Sequence, residues 1–269
     1  MLPVEYFIGL FLIGIFAGFA SGLLGVGGGF LIVPLQYFLL EYMGISPDLA
    51  MLISLGTSLA IIIPTASTGA YRHSKSLNGI FKPGLKLGIF GIIGGIIGGF
   101  TASAMPSSLI RTIFGVFLVC LAIYNFLTVN KDSPKARIRF NMINSAIIGI
   151  FVGFLSGILG IGGGIFIIII LTLLLGYSLI EAMGISSVFI SLTAIGGTVS
   201  YILSGWGVNT FPFSLGYVSI INFIGIAMFS IPFAYIGAKC SHILPEKRLK
   251  QVFALLILYM GLKMLGILF

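Results

Sequence analysis

The sequence predicts an all-α, polytopic membrane protein of about ten transmembrane segments, arranged as two inverted five-segment repeats. Three observations carry this expectation. The 269-residue chain is 58% hydrophobic and only 7% charged, with mean hydropathy +1.21, more apolar surface than a fold in water can hide. Its apolar residues gather in long runs separated by short polar breaks. Finally, the segment SGLLGVGGGF at residues 21–30 returns as SGILGIGGGI at residues 156–165.

The runs cover about residues 4–21, 26–43, 49–71, 80–102, 108–129, 141–157, 162–177, 181–204, 214–238 and 248–268. Each is read as a helix about long enough to cross a hydrocarbon layer of roughly 30 Å. The stretches between them, such as GISPD at 44–48, SAMPSS at 103–108 and NKDSPKARIR at 130–139, hold the glycine, proline and charge that end helices. The apolar run at the N-terminus lacks a basic leader and a small-residue cleavage site, so it is read as a retained segment. The six acids, Glu5, Glu41, Asp48, Asp132, Glu181 and Glu246, all lie outside or at the edges of runs, as hydrocarbon requires.

The repeat is read by aligning residues 13–29 with 148–164, where 13 of 17 positions are identical and the other four exchange apolar residues. Weaker echoes follow in the same order: GTS at 56–58 with GIS at 184–186, Thr65 with Thr193, Gly69 with Gly197, and MPSSLIRTIF at 105–114 with LPEKRLKQVF at 244–253. The units are residues 1–129, a cytoplasmic linker at 130–140, and residues 141–269. Five segments is an odd number, so the second copy enters the membrane from the opposite side. With the N-terminus outside, 12 of the 14 basic residues fall in cytoplasmic regions, leaving Arg111 and Lys263 towards the other face. That bias places both termini outside. It also accounts for the net charge of +8 without nucleic acid as a partner; the lipid bilayer is the partner. Trp206 is read as an aromatic anchor in the outer interface. Cys120 and Cys240 are isolated, Cys120 being read as a buried, inert thiol, and no metal or other cofactor is expected.

Glycine inside a membrane segment often serves close helix packing, and GIIGGIIGG at 91–99 is read that way. The clusters at 25–29 and 160–164 differ, because three consecutive glycines each cost a helix interior about 1 kcal/mol relative to alanine. They are expected to interrupt the helix and to approach each other near a pseudo-twofold axis. Two readings stand for the interruption: free N–H groups lining a substrate site, or a tight crossing without a ligand. A nucleotide-binding loop is excluded, since neither GxGxxG nor GxxxxGK[ST] is present.

The doubled SGxLGxGGG segment, each copy followed by a GTS-like stretch, together with MPSSLIR and LPEKRLK, resembles the sulfite exporter TauE/SafE family of membrane permeases over essentially the whole chain. The resemblance implies transport of small sulfur-containing anions, such as sulfite, thiosulfate, sulfoacetate or other sulfonates, across a prokaryotic plasma membrane. The second half departs from the pattern, with GIS in place of GTS.

Residue chemistry agrees with an anion. No acid lies inside a segment where a cation carrier would place one, whereas hydroxyls and amides do, including Gln36, Asn125 and Asn222. The candidate substrate-binding set is Gly27, Gly28, Gly29, Thr57, Ser58, Gly162, Gly163, Gly164, Ser186 and Ser187. The hydroxyls are chosen for their matching places in the repeats and their capacity to donate to a sulfonate. Arg72 and His73, in a cytoplasmic loop region, are candidates for an inner mouth or for proton coupling. The alternative function is a cation carrier or ion channel on the same scaffold. An enzyme is not expected, because no nucleophile, base and acid converge. The sequence leaves a homodimer open.

Overall fold

The computed structural model describes residues 3–77, 79–128, 141–208, 212–240 and 246–267. The linker at 130–140 and His242 lie outside the described residues. Ten helices occur among them: α1 (Val4–Leu24), α2 (Gly29–Tyr42), α3 (Pro47–Ser74), α4 (Phe81–Ser103), α5 (Ser107–Thr128), α6 (Met142–Leu159), α7 (Gly164–Leu173), α8 (Leu179–Ser204), α9 (Ile220–Cys240) and α10 (Glu246–Met264). A two-residue antiparallel hairpin, β1 (Ser214–Leu215) with β2 (Val218–Ser219), precedes α9.

Local chemistry sets the ends. Pro47 opens α3, where its missing N–H is no loss. Asn141 caps α6 by accepting the Asn144 amide at 2.8 Å. Ser178 and Glu181 form a capping box on α8, with the Ser178 amide donating to Glu181 Oε2 at 2.9 Å.

Six helices, α1, α3, α4, α6, α8 and α9, are long and apolar enough to cross a membrane. Two runs expected to span do not. With 14 residues in α2 and 10 in α7, their lengths are only about 21 and 15 Å at 1.5 Å per residue. Each is a half-helix returning from a glycine turn. The ninth run also starts late, because residues 214–219 form the hairpin, and α9 begins at Ile220.

Packing follows the glycines. The first helix of the chain lies along α9, with Gly14 against Ile226 and Gly18 against Ser230. In parallel, α6 lies along α4, with Gly149, Gly153 and Gly157 against the backbones of Leu87, Gly91 and Gly95. The spacing of four residues puts each set on one helix face, so backbones meet without side chains between them. GIIGGIIGG is therefore a packing element, as expected: Gly94 and Gly98 face α6, and Gly91, Gly95 and Gly99 face α8. Helices α3 and α8 run antiparallel through the middle, with Leu59 beside Gly197 and Ser187 beside Gly69. They are the most buried elements, and α5 pairs with α10 at one side.

Cys120 is exposed on α5, not buried as expected. A cysteine on the outer face of an apolar helix meets the bilayer as comfortably as a core, so composition could not distinguish the two. Trp206 is 68% exposed, just past the end of α8.

The packing yields a test. A methyl group at Gly153 would fall 2.9 Å from the Cα of Gly91, so Gly153→Ala should lower stability by about 1–3 kcal/mol through overpacking. At Gly69 a methyl would meet nothing nearer than Ser187 Oγ at 3.5 Å, and Gly69→Ala should be neutral or stabilising by up to about 1 kcal/mol. Thermal unfolding in detergent measures both, and equal effects would contradict the packing described.

Candidate functional site

The two glycine clusters break the chain in the same way. Helix α1 stops at Gly25 and α6 at Gly160, with φ of 65° and 64°, and each amide donates back to the serine four residues earlier, Ser21 at 2.9 Å and Ser156 at 2.8 Å. Then Gly27 and Gly28 adopt φ of 83° and 73°, and Gly162 and Gly163 adopt 78° and 77°. An L side chain costs roughly 1–2 kcal/mol in that left-handed region, which explains why the motif needs glycine at three of its positions. New helices start at Gly29 and Gly164. Both clusters are thus non-helical or helix-terminal, as the sequence predicts.

The breaks also touch each other. A Cβ at Gly29 would lie 2.6 Å from Ile161 Cα and 2.9 Å from the Gly160 carbonyl oxygen, and one at Gly164 would lie 2.7 Å from both Val26 Cα and its carbonyl oxygen. The amino ends of α2 and α7 therefore converge. Among the described residues, no acceptor takes the amides of Gly27, Gly28 and Gly29 or of Gly162, Gly163 and Gly164. Ile62 of α3 and Ile190 of α8, both fully buried, close over the breaks: a Cβ at Gly27 would meet Ile190 at 3.0 Å and Ile62 at 3.4 Å.

Ser58 and Ser186 clamp this arrangement. The Ser58 hydroxyl donates to the Gly160 carbonyl at 2.8 Å. The Ser186 hydroxyl donates to the Gly25 carbonyl at 2.9 Å and lies 3.2 Å from that of Gly164. Each serine so holds the break at the far end of the sequence, 102 residues away for Ser58 and 161 for Ser186. The other two predicted hydroxyls act differently. Thr57 accepts the Ser219 amide at 2.9 Å, tying the hairpin to α3. Ser187 donates to the Met183 carbonyl in its own helix at 2.9 Å and faces Gly69. Where Gly69 meets the small Ser187, the matching Gly197 meets Leu59, whose Cδ1 would lie 2.6 Å from an added Cβ. The lane between α3 and α8 is therefore roomier on the Gly69 side.

The candidate inner-mouth pair is divided. Arg72 is half-buried, donates to Ser76 Oγ at 3.3 Å and lies 5.9 Å from the centre of the Tyr235 ring. His73 does not lie in a loop; it belongs to the last turn of α3 and is fully buried. The chain doubles back directly after it, the Ser76 and Leu77 amides donating to the His73 carbonyl, and Leu77 and Ile80 then settle against Gly184 of α8.

Several residues of this region lay outside the candidate binding set, Gln36 among them although the sequence marked it as an interior amide. Ile62 and Ile190 are matched by the same offset as Ser58 and Ser186, which was the available signal. Ser156 is fully buried, and its hydroxyl has no partner among the described residues. Gln36 is fully buried on α2 with neither amide atom partnered among them, a burial that costs about 1–3 kcal/mol. Its signal was a polar residue where the other copy of the motif, offset by the repeat, has Leu171.

No group of three or more metal-ligating side chains gathers among the described residues. The carboxylates there sit at helix ends: Glu5, Asp48 and Glu181 in first turns, and Glu41 in the last turn of α2.

Comparison with known proteins agrees over nearly the full chain. The family model for the sulfite exporter TauE/SafE matches residues 10–264. A probable membrane transporter protein of Haemophilus influenzae is 35% identical over 260 residues, 94% of this chain and 96% of the relative. One from Methanocaldococcus jannaschii is 33% identical over 258 residues, 95% of this chain and 94% of the relative, and one from Bacillus subtilis is 29% identical over 260 residues, 95% and 97%. No solved structure matches. With a multi-pass helical architecture, the doubled glycine break and matches that span the chain, the protein belongs to the TauE/SafE sulfite exporter family of membrane transporters.

Proposed function

We propose that the protein is a secondary transporter of small sulfur-containing anions, such as sulfite, thiosulfate, sulfoacetate or other sulfonates. It works by alternating access between two inverted repeats, residues 1–129 and 141–269, in a prokaryotic plasma membrane with both termini outside. The observation that carries this reading is the convergence of the amino ends of α2 and α7 on one buried point. Each helix end is equivalent to roughly half a positive charge. Two such ends with unoccupied amides hold an anion without a buried lysine or arginine.

The amides of Gly27, Gly28, Gly29, Gly162, Gly163 and Gly164 are the direct ligands in this proposal. Ser58 and Ser186 fix the carbonyls of the breaks so that the amides turn inward, while Thr57 and Ser187 line the approaches along α3 and α8. Ile62 and Ile190 close the site in the present conformation, and an anion reaches it when α3 and α8 shift against each other. The packing suits such a motion: α1 with α9 mirrors α6 with α4, α3 crosses α8, and α5 pairs with α10. Arg72, at the far end of α3 from Asp48, attracts anions to the inner mouth, and the buried His73 is the group placed to couple a proton.

Two measurements test this. Sulfite, thiosulfate and sulfonates should raise the melting temperature of the purified protein, since a ligand of the native state stabilises it. Ser58→Ala and Ser186→Ala should weaken that binding about tenfold, the effect of losing a hydrogen bond of roughly 1.5 kcal/mol that shapes a charged site. Ser67→Ala should not, because Ser67 is exposed and bonds its own helix at Ile63. Stabilisation by a cation and by no anion would favour the cation-carrier alternative and overturn this one.

The orientation is tested separately by impermeant thiol labelling of intact cells carrying Asp132→Cys or Val208→Cys. Only the cysteine at 208 should react; labelling of 132 alone would reverse the topology.

A further inference from the structure

A cavity of about 330 Å³ opens where α2, α3, α5 and α10 meet, lined in part by Tyr37, Asp48, Met51, Ser107, Arg111 and Met264. That volume lies at the lower end of pockets that take small molecules, roughly 300–1,000 Å³. Its walls are arranged around Arg111. The Arg111 Nε–H donates to the Met264 carbonyl at 2.7 Å and Nη1 to the Tyr37 hydroxyl at 3.3 Å. The guanidinium also lies 5.6 Å from the centre of the Tyr37 ring. It is thus fixed in orientation while keeping donors in reserve, because a guanidinium has five. Neither nearby acid forms an ion pair with it among the described residues: Asp48 accepts the Ser107 hydroxyl, and Glu41 accepts that of Tyr37 at 3.0 Å. The amino ends of α3 and α5, at Pro47 and Ser107, face the same space, adding two further partial positive charges.

Gln36 is the next residue of α2 inward from Tyr37. It stands seven residues from Gly29, two helical turns on and on the same face. Its side chain is fully buried with no partner among the described residues, whereas the corresponding Leu171 is equally buried and apolar. The fold therefore accepts leucine at this kind of position, and the amide has no structural partner to explain it.

We propose that small oxyanions dock in this cavity at Arg111 and pass the Gln36 amide on their way to the glycine breaks. This rests on the anion-transport reading and names its route. Arg111 supplies charge at the mouth, and Gln36 supplies two N–H donors where the path would otherwise be hydrocarbon.

Uptake of radiolabelled sulfite and thiosulfate by proteoliposomes tests it. Arg111→Gln should raise KM about tenfold, the loss expected for a hydrogen bond to a charged group, and Arg111→Lys should recover part of that. Gln36→Leu should cut the maximal rate about tenfold for the same reason, while its melting temperature stays level or rises. Lys263→Gln removes a charge near the same end of α10 without lining the cavity, and its KM should match the parent. An unchanged KM in Arg111→Gln, an equal rise in Lys263→Gln, or parental rates in a folded Gln36→Leu each overturn the proposal. Gln36→Met takes the place of Gln36→Leu if the latter does not fold, with the same criterion. A parent protein that carries no sulfur oxyanion overturns the transport reading itself, and this route with it; parental transport retained in the variants overturns the route alone.

Discussion

Everything in this protein depends on how it keeps backbone polar groups satisfied where two helices stop inside an apolar interior. In hydrocarbon an open N–H or C=O costs several kcal/mol, so an interruption survives only when buried in protein or facing a ligand. Here one carbonyl of each interruption is held by a serine hydroxyl distant in the chain, while the glycine amides beyond it have no acceptor among the described residues. The Gly25 and Gly160 carbonyls receive hydroxyls from Ser186 and Ser58, and the glycine amides beyond them converge under Ile62 and Ile190. The division has a chemical meaning: carbonyls repel anions and amides attract them.

The same constraint explains the surrounding architecture. Half-helices can end in the middle only if neighbours enclose them, and enclosure requires close approach. The glycine ridges of α1 and α6 provide it by bringing their backbones onto α9 and α4. The long helices α3 and α8 carry both the serines that clamp the breaks and the isoleucines that cover them. A movement of these two helices is therefore bound to change clamp and cover together. The two-fold likeness is incomplete in ways that suit a directional path: Gln36 stands against Leu171, and the Gly69–Ser187 contact is looser than that of Gly197 with Leu59.

The ten helices and the two breaks were legible in the sequence because they rest on local rules. Long apolar runs must be helical at membrane depth, and consecutive glycines must end helices. The shortness of α2 and α7 was not legible, since the runs at 26–43 and 162–177 each hold enough apolar residues to be read as a span, and composition cannot tell a half-helix from a span. The partners of Ser58 and Ser186 were also beyond reach: the repeat alignment marked both residues, but only three-dimensional placement shows their protons directed at glycine carbonyls. For Cys120 and His73 the sequence misjudged burial in opposite directions, because an apolar face meets lipid and protein alike and because the turn through Ser76 and Leu77 folds back over the end of α3. Gln36 could have been singled out by comparing the repeats position by position.

The central claim is that the open amides of the paired glycine breaks are the anion site. Selenite, a heavier analogue of sulfite, permits a direct measurement by anomalous diffraction from crystals of the protein grown with it. The account predicts a selenium peak within hydrogen-bond reach of the amides of Gly27 to Gly29 and Gly162 to Gly164. A bound selenium found only away from them, in a conformation where α3 and α8 have shifted and Ile62 and Ile190 no longer cover the breaks, would contradict it.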